Sequence, residues 1–210
     1  MSRLRLALVL MIFSCTNASA FDGGAFECGE LTNPVGPYDY RSDKSLLRNV
    51  ETNHFTMGVR TLTKGHSASV GGDLDYLLRA YPNHPGGLDA MARLGLKVRS
   101  SKPVGANYSI PCYFDRAIRL APDDSGVRVL FANYLWKTGQ KSRALEEIEA
   151  AERLGASDAN TFYNIGLMKL EAGDSKAALK YARMAYDLGF PLPGLRNKLK
   201  RAGVWTESGN

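Results

Sequence analysis

The sequence predicts an all-α protein: an α-solenoid-like array of three to four helical hairpins, closed by a C-terminal capping helix and preceded by an extended N-terminal arm. Two observations predict this class. One is an internal period of 34 residues in the C-terminal half. The other is that each period carries helical apolar spacing interrupted by a short Gly-containing turn.

The period emerges when residues 125–157 (SGVRVLFANYLWKTGQKSRALEEIEAAERLGAS) are laid over 159–191 (ANTFYNIGLMKLEAGDSKAALKYARMAYDLGFP). Ala132 falls on Gly166, Gly139 on Gly173, Ala144 on Ala178 and Ala151 on Ala185, while Phe131 falls on Ile165 and Ile148 on Ala182. In the last period Asp158 is placed to cap a first helix with apolar positions Phe162, Ile165, Leu167 and Leu170. Gly173-Asp174 then breaks that helix, and Ala177 to Leu188 forms the second. The small residues have a mechanical reason. Gly166 faces Ala178, and anything larger than a methyl there would push the helix axes beyond the roughly 8–10 Å of ordinary packing.

These positions resemble the tetratricopeptide repeat, with its early aromatic (Phe162), large apolar residue (Ile165) and small residues at Gly166, Ala178 and Ala185. Pro122 stands where such a unit typically ends, whereas Ala156 and Phe190 replace that proline later. Weaker copies precede it. Residues 85–124 place Met91, Ala92, Phe114, Ala117 and Pro122 in register, with six extra residues around SSKPVGANYSIP. Residues 51–84 place Met57, Gly58, Gly65, Val70, Leu74, Leu77 and Pro82. The resemblance thus implies units at 51–84, 85–124, 125–158 and 159–192, and an amphipathic helix over 193–206 caps the array, as stacked repeats require. As a whole the chain is similar to small exported proteobacterial repeat proteins of no assigned activity.

The N-terminus reads as an address. Arg3 and Arg5 precede an apolar run, Leu6 to Phe13, and Ala18-Ser19-Ala20 offers a cleavage site after Ala20, so 1–20 is a signal peptide and the mature protein is exported, in the periplasm. Ile12-Phe13-Ser14-Cys15 also loosely matches a lipoprotein box, and acylation of Cys15 would instead give an outer-membrane lipoprotein. The exported part keeps Cys28 and Cys112, which are expected to pair in an oxidising compartment, stabilising by ~4 kcal/mol on a chain-entropy account. Residues 21–50, rich in Gly, Pro and aromatics, read as an arm with a short helix near Asp43 to Val50. Without Arg3 and Arg5 the 27 basic residues become 25 against 21 acidic, a charge of about +4 that is too mild for a nucleic-acid partner.

No catalytic or metal constellation stands out. KGHSASVGG (64–72) resembles a hydrolase nucleophile turn, yet serine stands at 69 where the second glycine belongs, and no strand precedes it. It reads as a turn between helices, with Ser67 or Ser69 capping the next one and Gly65 ending the previous one. His54, His66 and His84 are scattered, and Asp123-Asp124 reads as a helix cap. The expectation is a non-enzyme with no cofactor and no metal, and with membrane contact only if Cys15 is lipidated.

What the repeats offer instead is a concave face lined by their first helices. The candidate binding residues are Val129, Asn133, Trp136, Lys137, Asn160, Tyr163, Asn164 and Leu167, with Lys198 from the capping helix. Asn133 and Asn164 have the asparagine spacing of the carboxylate clamp found in some such repeats, and Lys198 holds the place of one cation. Val129 and Gly194 stand where its other two cations belong. Trp136 reads equally as a ligand anchor or as filling of the hairpin core. The function expected is a scaffold for protein or peptide segments. The alternative is a lipid-anchored structural subunit or assembly factor of a cell-envelope complex.

Overall fold

The computed structural model describes residues 28–205, which form ten α-helices and no strand. The leader, the cleavage site after Ala20 and Cys15 lie outside the described residues. The helices are α1 (Leu47–His54), α2 (Met57–Arg60), α3 (Val70–Ala80), α4 (Pro85–Val98), α5 (Ile110–Leu120), α6 (Ser125–Lys137), α7 (Lys141–Arg153), α8 (Ala159–Glu171), α9 (Ser175–Asp187) and α10 (Gly194–Arg201). None is long and apolar enough to cross a membrane.

Helix starts are fixed by side chains that take up otherwise orphaned backbone donors. Asp124 accepts from Val127 N–H, Asp158 from Thr161 N–H, and Asp174 from Ala177 N–H. Ser69, Ser109 and the His84 imidazole do the same for α3, α5 and α4. Gly139 and Gly173 end α6 and α8 with φ of +83° and +89°, and the next residue's N–H closes back onto Leu135 and Lys169 respectively. A side chain in that left-handed conformation would be strained, so glycine recurs there.

The elements pair as α6 with α7 and α8 with α9, and the first helices form a row in which α2 meets α4, α4 meets α6, α6 meets α8, and α8 meets α10. The aligned small and apolar positions are all buried: Ala132, Ala144, Ile148 and Ala151 in one hairpin, Gly166, Ala178, Ala182 and Ala185 in the next. A Cβ built on Gly166 would come within 2.7 Å of Leu195 and 3.4 Å of the Ala178 carbonyl, so glycine is what lets α9 and α10 close on α8. Fully buried Leu135 and Ile148 each contribute about 1.5–3 kcal/mol by leaving water.

The N-terminal half departs from the sequence reading in two places. The arm's helix begins at Leu47 rather than near Asp43, because Asp43 accepts from Ser45 N–H and Oγ and so holds a turn. The first helix of the 51–84 unit is broken into α1 and α2. It ends at Arg60, and Gly65 lies in the following loop rather than at its terminus. Leu62, with φ of +59°, turns the chain early, and a Cβ on Gly65 would strike the Ala68 carbonyl at 1.9 Å. Residues 61–69 nevertheless connect two helices. The buried Asp73 carboxylate gathers this loop by accepting from the His66 N–H at 2.6 Å and the Ser67 N–H at 3.3 Å, and His54 Nδ1 lies 3.0 Å from it. Ser69 caps α3, whereas the Ser67 hydroxyl donates to the Asn53 carbonyl.

The arm is fastened to α5. Cys28 and Cys112 form a disulfide, and the buried Arg116 donates through Nη1 to the carbonyls of Cys28, Gly29 and Glu30. A second buried carboxylate, Asp75, accepts from Arg79, from both Asn107 donors and from the Tyr113 hydroxyl. Burial and that carboxylate push the Tyr113 phenol far above its ordinary range. Asp75 thereby ties the 99–109 insertion and α5 to α3.

Candidate functional site

The row of first helices encloses a cleft of about 900 Å³ walled by α4, α6 and α8 and rimmed by the arm at Tyr40 and Arg41. Helix α6 packs beside α8, and residues 34 apart in the sequence, Asn133 with Leu167 and Lys137 with Glu171, all line the cleft.

Seven of the candidate groove residues line this cleft: Val129, Asn133, Trp136, Lys137, Asn160, Asn164 and Leu167. Val129 lies in its floor, 2 % exposed. The Asn133 side chain makes no hydrogen bond among the described residues, whereas the Asn164 amide donates to the Asn160 carbonyl at 2.8 Å and leaves its own oxygen unused. Trp136 packs on the core, lies under the Lys141 ammonium at 5.3 Å and still lines the cleft.

The other two lie elsewhere. Tyr163 stacks on Phe190 with ring centroids 4.0 Å apart, and a Cβ on Gly194 would come within 2.7 Å of its hydroxyl. In the last hairpin the neighbour on that side is α10. Lys198 reaches the cleft only through its pairing with Glu171, at 3.6 Å, and Glu171 is in the lining. It sits on an acidic partner rather than beside Asn133 and Asn164, and Gly194 and Val129 supply no further cation.

The cleft mouth is built by residues far apart in the chain and joined by no local pattern. The Arg41 guanidinium lies 2.7 Å from Asp39, 2.8 Å from Asp123 and 3.7 Å from Asp124. Hydrogen bonding from Arg41 holds the Asp39 carboxyl well below the usual carboxylate range and lowers that of Asp123, and those carboxylates in turn raise Arg41. Asn83, 1 % exposed, donates to Asp39 at 2.7 Å and to Asp124 at 3.1 Å, and accepts from the Tyr40 N–H at 2.8 Å. In the sequence Asp39-Tyr40-Arg41 is an aperiodic stretch, and Asn83 is a turn residue. No local signal carries residue 41 to residue 123.

Chemically the cleft offers amides, carboxylates and the cations Arg41, Arg93 and Lys137 over an apolar floor. Among the described residues no group of His, Cys, Asp and Glu is placed to hold a metal ion. His54 and His84 face carboxylates one at a time, Asp73 and Glu51 respectively. No protein-family model, no curated protein and no solved structure matches this chain.

Proposed function

We propose that this chain is a non-catalytic protein-interaction scaffold, a tetratricopeptide-like α-solenoid of three to four hairpins that holds protein or peptide segments in the cleft along its first helices. The observation that carries the reading is the convergence of seven residues, singled out by register alone, on one cleft of about 900 Å³. Apolar side chains at Leu130, Leu167 and Trp136 supply burial, and Asn133 and Asn164 supply amides for an extended backbone. The side-by-side row of α4, α6 and α8 supports the repeat reading. The leader pattern and the Cys28–Cys112 disulfide support export to an oxidising compartment.

The test is capture with the exported, oxidised chain. Proteins crosslinked to the wild type should be lost from a Trp136→Ala, Asn164→Ala double variant that keeps the wild-type melting temperature. An unchanged capture pattern overturns the reading. Intact mass of the exported chain separates a free form starting at Phe21 from one acylated at Cys15.

A further inference from the structure

A stretch of polypeptide is already seated at one end of the cleft. The arm reaches the cleft at Tyr40, with Tyr38 N–H donating to the Ala80 carbonyl at 2.8 Å and Tyr40 N–H donating to Asn83 Oδ1 at 2.8 Å. The Tyr40 ring rests on the His84 imidazole, centroids 4.5 Å apart, and Arg41 then turns its guanidinium onto Asp123 and Asp124. Backbone held by a side-chain amide, an aromatic ring on a flat partner and a cation on carboxylates are together the contacts by which a groove holds a peptide in trans.

The seat has a structural period of its own. Of the two residues before each first helix, Asn83, Asp123-Asp124 and Ser157-Asp158 line the cleft ahead of α4, α6 and α8, and the buried His84 lies beside Asn83. The arm uses the first two of these pairs. The third, with Asn160 and Asn164 just beyond it, lines the same cleft. The charge at the seat is one-sided: three carboxylates share one guanidinium, and the Asp123 side chain is 71 % exposed. In a chain of net charge +6 this acidic notch runs against the whole, and it selects for a cation. A planar guanidinium can bridge two carboxylates as Arg41 does, which a lysine ammonium does less well.

We infer that the occupant of the cleft is an extended peptide segment presenting an arginine to Asp123 and Asp124, and that Tyr40-Arg41 holds that place in cis until such a segment displaces it. The inference rests on the scaffold reading and narrows it to a ligand chemistry. The displaced arm stays tethered by Cys28–Cys112, so it competes as an intramolecular ligand and lowers the apparent affinity by the fraction of time it is seated.

The experiment uses the full oxidised chain and a fluorescein-labelled peptide with the arm's own sequence, PYDYRSDK, alongside the same peptide with glutamate in place of arginine, read by fluorescence anisotropy. The Arg41→Ala variant should bind the arginine peptide at least about tenfold more tightly than the wild type does, and the glutamate peptide no better than the wild type. Asp123→Asn added to Arg41→Ala should remove most of that gain, as should raised salt. Asp123 makes no helix cap, so this change leaves the fold intact. Equal binding of both peptides, no gain from Arg41→Ala, or no loss from Asp123→Asn overturns the inference. If both peptides bind equally and Trp136→Ala weakens both, the scaffold reading stands and only the arginine preference falls. If no variant binds either peptide and the capture pattern is also unchanged by the double variant, both fall.

Discussion

The two halves of the molecule reach the same helical packing by different means. From 125 to 192 the hairpins are held by repeated small residues, Ala132, Ala144, Ala151, Ala178, Ala182 and Ala185, and the buried polar side chain there is Thr161. From 28 to 124 the helices are irregular, and buried Asp73, Asp75, Asn83, His84 and Arg116 tie loops, arm and helices together. Periodic packing is secured by shape. Where the period lapses, in the split α1–α2 and the 99–109 insertion, backbone groups lose their regular partners, and buried side chains must supply them.

Breaking the polar ties should therefore hurt more per atom than crowding the repeat. The largest effect is expected for Asp75→Ala, which strands Asn107 and Tyr113 and leaves Arg79 hydrogen-bonded to Asn33 alone. It should lower stability by about 3–5 kcal/mol in denaturant titration, with near-wild-type stability overturning the role given to this network. Cys112→Ser comes next. Opening a loop with a sequence separation of 84 should cost about 4 kcal/mol, and the loss should match that of the wild type under reductant. Gly166→Val, which presses on Leu195 and α9, should cost about 1–3 kcal/mol and lower the melting temperature without affecting the arm.

The smallest effect is a pH dependence. His84 is held neutral because burial lowers its pKa, only partly offset by Glu51; Nδ1 accepts from Gly87 N–H while Nε2 donates to Glu51. The unfolded chain thus takes up a proton first as pH falls through the ordinary histidine range. Stability from this site is present above that range and declines below it. The melting temperature should drop more between pH 8 and pH 5 for the wild type than for His84→Asn, which can cap α4 without titrating. Equal slopes would remove His84 from the account.

These contrasts also mark what was legible in the sequence. The boundaries of α6 to α9 follow from Asp124, Gly139, Asp158, Gly173 and Asp174, because caps and turns are local chemistry. Seven cleft residues followed from register, since a repeat converts spacing into position. Tyr163 lay elsewhere because register assumes another hairpin beyond the last one, and α10 stands there instead. Arg116 sits in DRAIRL, where its neighbours Asp115 and Arg119 make an ordinary surface pair at 2.7 Å, and nothing local marks it as the buried anchor of the arm. Arg41 is unreadable for the same reason. Its partners are brought to it by a chain excursion that only the folded molecule defines.

The covalent link between arm and α5 has a mechanical consequence. Tension entering along the chain at Cys28 passes through sulfur to Cys112 and leaves along α5, so the residues between them carry no load. Pulled from its two ends, the molecule would lengthen at α6 to α10 while α1 to α4 stayed slack, and the cleft wall made by α8 would part before the wall made by α4.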